Sequence, residues 1–196
     1  MTTKKNITRD DILNMDEYEK IRNQRRVEIA KVKKHRRLSI GPHASFYFEC
    51  YDTIWYQIHE MLRIEKGGED QIQDELDAYN PLIPSGTELV ATLMFEIPDA
   101  QIRAQILAEL GGVEETITME IGKETIHAKP EDDVDRTTSA GKASSVHFIH
   151  FLMNPTQVKT FKRSETRVVI GIDHLNYGHM AVLPDYIKRE LSNDLE

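Results

Sequence analysis

The chain has one cysteine, Cys50, among its 196 residues. A single thiol excludes an internal disulfide framework and a self-held iron–sulfur cluster, which normally takes four thiolates. Long hydrophobic runs are missing too. No apolar stretch approaches the ~20 residues that cross a bilayer, so no membrane insertion is expected. No apolar segment follows Met1-Thr2-Thr3-Lys4-Lys5-Asn6, so no signal peptide is expected, and the reading is a cytoplasmic protein. There is no Walker loop, no dinucleotide glycine fingerprint and no nucleophile elbow. What is present suffices for a core: 39% of residues are apolar against 30% charged, which excludes wholesale disorder.

Charge is unevenly placed. The segment 20–37 holds nine basic residues and one acid, Glu28, and so carries +8 within a chain of formal charge −8. Arg25, Arg26, Lys33 and Lys34 lie there and are the candidate partner-binding residues. Such asymmetry suits an acidic partner or the chain's own acidic half. Nucleic acid is disfavoured as a partner, because the chain is acidic overall and no aromatic-interleaved RNA motif is present.

The hydrophobic pattern predicts an α+β fold with a largely antiparallel mixed sheet, packed helices and a basic N-terminal helix. Two regions are expected: 1–37, helical and basic, and 38–196, a single α+β domain with a mobile loop at about 131–144. Tyr18, Ile21, Ile29 and Val32 recur at helical spacing over 16–35, with Arg25 interrupting the stripe. Ala44, Phe46, Phe48 and Cys50 alternate with Ser45, Tyr47, Glu49 and Tyr51, which predicts a strand. Ile54, Ile58, Met61 and Leu62 make the buried stripe of a second helix. A third helix must stop at Asn80, before Pro81. Leu89, Ala91, Leu93, Phe95 and Ile97 mark the clearest strand. A helix over 99–111 and a hairpin over 116–128 turning at Gly122-Lys123 come next. Strands over 145–153 and 167–173 flank a short helix opened by Asn154-Pro155, and a final helix follows Leu183-Pro184.

Three familiar metal patterns fail on geometry. His59-Glu60-Met61-Leu62-Arg63 has Arg where a zinc helix needs its second histidine. His147 and His150, three apart on a strand, point to opposite faces. Glu124 and His127 fail likewise, because a Glu-x-x-His pair works on a helix. A dispersed set is more promising. Glu60, Glu75 and His147 are the catalytic candidates. Glu49, Gln57, Arg63, Asp77, Tyr79, Asn80 and Asp173 are the ligand-binding candidates, and His43, His147 and His174 the metal candidates. Histidine with carboxylates can hold a divalent metal or move protons, so a divalent metal is a candidate cofactor and none is established by the residues. Glu75 borders an apolar stripe and needs a partner. The expectation is that His43, Glu60, Glu75, His147 and His174 meet in one cleft, because the strands of His147 and His174 are read as one sheet.

Arg36-Arg37-Leu38-Ser39-Ile40-Gly41-Pro42-His43, Phe48-Glu49, Thr53, Tyr56-Gln57-Ile58-His59-Glu60-Met61-Leu62-Arg63 and Gln73-Asp74-Glu75-Leu76-Asp77-Ala78-Tyr79-Asn80-Pro81-Leu82-Ile83-Pro84 carry a resemblance. So do Ser145-Val146-His147-Phe148 and Ile170-Gly171-Ile172-Asp173-His174. Across nearly its whole length the chain resembles the uncharacterised bacterial domain-of-unknown-function 3501 family. Genes of that family typically sit beside rubrerythrin and an iron–sulfur oxidoreductase of the heterodisulfide-reductase kind. The resemblance implies an accessory protein of a redox or oxidative-stress module that binds one of those two partners. It carries no established reaction. Where members of the family have Arg at position 150, this chain has His150. The alternative is a metal- or small-ligand-dependent enzyme using the His/carboxylate set, so whether the chain is an enzyme stays open at this point.

Overall fold

The computed structural model describes residues 4–131, 137–138 and 141–196. Helix α1 (Met15–Lys34) leads into strands β1 (Arg37–Ile40) and β2 (Ala44–Phe48). Helices α2 (Tyr51–Glu65) and α3 (Glu69–Tyr79), strand β3 (Glu88–Phe95) and helix α4 (Ala100–Ala108) follow. Next come β4 (Ile117–Ile121), β5 (Glu124–His127), β6 (Lys129–Pro130), β7 (Val146–Leu152) and α5 (Pro155–Lys162). The chain ends with β8 (Val168–His174), β9 (Tyr177–Val182) and α6 (Asp185–Leu191).

Local chemistry sets these boundaries. The Asn14 side chain accepts from the Glu17 amide at the start of α1. At the start of α5 Asn154 does the same for Gln157, with Pro155 behind it. Both supply an acceptor to a helix N-terminus whose amides have no partner within the helix. β2 ends earlier than its alternating pattern suggests, because Cys50 caps α2 and Tyr51 is already helical. That helix closes on Lys66 in the left-handed region, at φ 57°, one residue before the glycines expected to end it. β9 is an element that the sequence pattern did not disclose. Its burial is irregular, with only Tyr177 fully buried.

The strands form two antiparallel sheets, ordered β1-β2-β3-β7-β6 and β5-β4-β8-β9. The fold is α+β. β7 and β8 lie in different sheets, which corrects the expectation that His147 and His174 share one: α5 carries the chain from the first sheet to the second. One face of the five-stranded sheet (Phe46, Phe48, Leu89, Leu93, Ile149, Phe151) packs on Ile117, Met119, Ile170 and Ile172 of the four-stranded sheet. On its other face, Val90 and Phe148 meet Tyr18, Ile54, Ile58, Leu62, Ile72 and Leu76 from the helices. The five-stranded sheet is therefore the middle of three layers. Arg25, which breaks the apolar stripe of α1, lies 4.9 Å from the Trp55 ring, so its stem and charge both have a use.

Polar ties close the structure over long sequence distances. The Tyr177 phenol accepts from the His43 and Ala44 amides and donates to the Ile40 carbonyl, which locks the β1–β2 turn to β9. Asn80 exchanges two hydrogen bonds with the Ile7 backbone and holds the N-terminal segment on α3. Half of the polar stretch expected as a mobile loop, 132–136 and 139–140, lies outside the described residues. Within the other half, Thr137 bridges Ala143.

Candidate functional site

Strand pairing places two rows of side chains on the helix-facing side of the central sheet. Thr92 lies opposite both Tyr47 and Phe148, and Met94 lies opposite Val146. Their neighbours on the opposite face are fully buried, whereas these five are only half-buried. The helices stand off from this end of the sheet and leave a cavity of about 490 Å³. Ile54, Thr53 and Gln57 of α2, Tyr79 and Leu82 after α3, and Lys33 near the end of α1 complete its wall. That volume is within the range of pockets for small organic molecules, and the lining is apolar with a few convergent polar groups.

Glu49 supplies the one carboxylate of this wall and is 8% exposed. The junction between β2 and α2 positions it. The Glu49 amide continues the ladder by donating to the Val90 carbonyl, and its side chain points to the same face as Tyr47. Thr53 Oγ1 stands 2.6 Å from one carboxylate oxygen and Thr92 Oγ1 2.6 Å from the other. Both are neutral hydroxyl donors. Beyond them, burial raises the Tyr79 phenol above its ordinary value while a hydrogen bond with Gln57 pulls it down. Tyr79 is therefore a neutral hydrogen-bonding group at pH 7. Three of the ligand-binding residues expected from the sequence, Glu49, Gln57 and Tyr79, thus share one cavity.

The other four do not join them. Arg63 pairs with Glu19 on the outer surface, and Asp173 is exposed at the end of β8. Asp77 accepts from Gln73 beside a broad groove of about 610 Å³, formed where residues 6–9 cross α3. Asn80 lines the same groove with its amide committed to Ile7.

The five residues expected to converge are divided by the central sheet. Glu60 lies on the helical side, gripped by Arg22 through two bonds of 2.8 Å and by the Tyr18 hydroxyl. The Arg22 hydrogen bond holds its carboxyl below the usual range despite partial burial. Glu75 is also on that side. Burial pushes its carboxyl up, and its partner is the Gln71 amide at 2.7 Å. His147 points the other way, into the inter-sheet core, with Nε2 on the Ser144 carbonyl and Nδ1 3.7 Å from Glu114. His43 borders a small cavity with Tyr177 and His179, and His174 bonds the Gly111 carbonyl and the Asn176 amide. The reason for the split is the two-residue period of strands, which sends His147 and Phe148 to opposite faces. Among the described residues no three His, Cys, Asp or Glu side chains are grouped to hold a metal ion, so His43, His147 and His174 do not form a ligand set.

His59 and His150 are both committed elsewhere. His59 Nδ1 donates to the Trp55 carbonyl and Nε2 accepts from the Leu13 amide. Burial lowers its pKa, so it is a neutral core bridge. His150 lies between Glu88, at 2.9 Å, and Glu131, at 2.8 Å. Of the basic residues expected to face a partner, Arg26 and Lys34 are exposed, Arg25 covers Trp55 and Lys33 lines the cavity.

Sequence reasoning missed Tyr47, Thr53, Thr92, Met94, Val146 and Phe148 as cavity residues. Thr92 carried a usable signal: it is a hydroxyl within the apolar run Leu89–Phe95, and it lies on the face opposite Leu89, Ala91, Leu93 and Phe95. The aromatic and aliphatic residues gave none, since core packing uses the same types.

A family model described as "Protein of unknown function (DUF3501)" matches residues 6–195. No curated protein matches the chain. Among solved structures, the chain is similar to a novel protein of unknown function from Burkholderia pseudomallei K96243, determined at 1.90 Å. The identity is 38% and the TM-score 0.89, over 97% of this chain and 99% of that one.

Proposed function

From the premise that the chain belongs to the DUF3501 family, we propose that it binds a small organic molecule in the cavity between the central sheet and helices α1–α3. The observation that carries this reading is the buried Glu49 carboxylate opening, with Gln57 and Tyr79, into about 490 Å³ of space. A recess of this size with convergent polar groups has the geometry of a small-molecule site. Val146→Trp would fill it from the β7 side and leave every polar group in place.

The test is a fragment screen followed by backbone amide spectra, with neutral, anionic and cationic fragments of about 8–15 heavy atoms, the scale such a cavity holds. At least one fragment is expected to shift the amides of Gln57, Thr92 and Phe148 in the parent and not in the filled variant. If no fragment moves those amides, or the filled variant responds equally, the cavity is not a binding site.

A second reading is favoured by the exposed cations of α1. In it the chain is an accessory protein of a bacterial redox or oxidative-stress module, and Arg26 and Lys34 contact rubrerythrin or an iron–sulfur oxidoreductase. Exposed charges act mainly on encounter and are screened by salt. Arg26→Glu with Lys34→Glu should therefore remove co-purification with either partner while the thermal midpoint stays within a few degrees. Co-purification that survives the double reversal removes this reading.

A further inference from the structure

We propose that the molecule held in this cavity carries one ammonium group, seated on Glu49, attached to an apolar or aromatic body. The inference rests on the binding reading above and deepens it.

Both Glu49 oxygens already accept a hydroxyl, from Thr53 and from Thr92. A carboxylate has about four acceptor positions, so about two stay open. The side chain is among the cavity-lining groups, so an incoming donor can reach them from that space. Glu49 has no basic partner among the described residues: the neighbouring Arg36 guanidinium donates to the Glu49 backbone carbonyl and turns its charge to Asp194 and Glu190. Removing a carboxylate from water without a cation costs free energy that neutral donors offset only in part. A ligand ammonium supplies the missing charge and up to three donors to the open positions.

The rest of the wall describes the remainder of the ligand. Tyr79 and Phe148 offer ring surfaces, which attract a cation and stack on a flat body, whereas the Tyr47 ring already carries the Arg37 guanidinium at 5.3 Å. Ile54, Leu82, Met94 and Val146 offer only apolar contact. Lys33, the one basic residue lining the cavity, repels any positive charge on the ligand, so a single ammonium paired with Glu49 is tolerated better than two. Other groups near the space do not compete for this role. Glu75 is held by Gln71, and the Tyr47 hydroxyl donates to Glu96.

The experiment is calorimetric titration at pH 7 with matched probes: phenethylammonium, cyclohexylammonium and isoamylammonium, each against the alcohol and the carboxylate of the same skeleton. A diammonium of similar length is included. At least one monoammonium probe is expected to bind the parent, with its alcohol and carboxylate at least tenfold weaker and the diammonium weaker as well. Glu49→Gln should cost that probe at least tenfold. Because Glu49→Gln disturbs two threonines, Thr92→Val serves as a second variant: it keeps the carboxylate and frees another acceptor position, so ammonium binding should persist. Preference for an alcohol or carboxylate probe, lost on Val146→Trp, would overturn the ammonium assignment and leave the cavity reading standing. Ammonium binding that is indifferent to Glu49 would overturn the assignment in the same way. No response from any probe or fragment at the cavity would overturn both.

Discussion

Arg36→Met should lower the unfolding free energy by about 3–5 kcal/mol, the usual cost of breaking a buried ion pair from one side. Arg36 is 2% exposed and sits where α1 gives way to β1. Its guanidinium donates to the Phe48 and Glu49 carbonyls, each at 3.1 Å, and pairs with Asp194. Methionine fills much of the space of the stem but leaves Asp194 without a cation and two buried carbonyls without a donor. The Glu190 contact adds little, since that carboxylate is 40% exposed. Against a typical total of 5–15 kcal/mol the loss is large, and denaturant unfolding reads it directly. Combining Arg36→Met with Asp194→Leu should cost less than the two single changes together, because the orphaned charge is gone. A loss below about 1 kcal/mol for the single variant would mean that the pair is no anchor.

The stability that His150 contributes should fall as pH rises from 6 towards 9. Burial opposes charge on its imidazole, but hydrogen bonds and attraction from Glu88 and Glu131 outweigh that and raise its pKa. The His150 hydrogen bond in turn lowers Glu88. A raised histidine stabilises fully below its unfolded value of about 6.5 and loses that contribution as pH climbs through the folded value. A lowered carboxylate stabilises above its unfolded value of about 4.3 and loses that as pH drops through the folded value. The triad thus contributes most between roughly those two values. His150→Leu should cost about 2–3 kcal/mol at pH 6, below the full figure for a buried pair because its members are 12–23% exposed. It should also flatten the alkaline slope. His150→Arg, a cation at every accessible pH, should flatten the slope without the loss at pH 6. His59, whose pKa is lowered, gives the opposite slope near the unfolded value of about 6.5, so the test is the difference between parent and His150→Leu: equal slopes from pH 6 to 9 would exclude the imidazolium.

Much of this layout was readable in the chain. Helix α1 falls within one residue of its expected span, the Asn154-Pro155 start of α5 stands as read, and Gly122 turns the β4–β5 hairpin at φ 65°. Each rests on local chemistry: a stripe, a cap, or a backbone angle open to glycine. Glu49, Gln57 and Tyr79 were also among the residues singled out for ligand binding. Their meeting point was not legible, because it depends on where α2 and α3 leave the sheet uncovered, which is a property of packing. The expected convergence of the histidines with Glu60 and Glu75 fails for a related reason. Strand parity places His147 on one face or the other only once the layer order is known, and α5 changes sheets.

The Tyr177 phenol has a consequence for the newborn chain. A polypeptide leaves the ribosome N-terminus first and folds as it emerges. The turn that the phenol secures begins at Ile40, 137 residues earlier in synthesis. During that interval the His43 and Ala44 amides and the Ile40 carbonyl face solvent or a chaperone, and closing so long a loop is entropically slow. β2 can pair with β3 long before then, but the turn of this first hairpin is among the last segments to be secured.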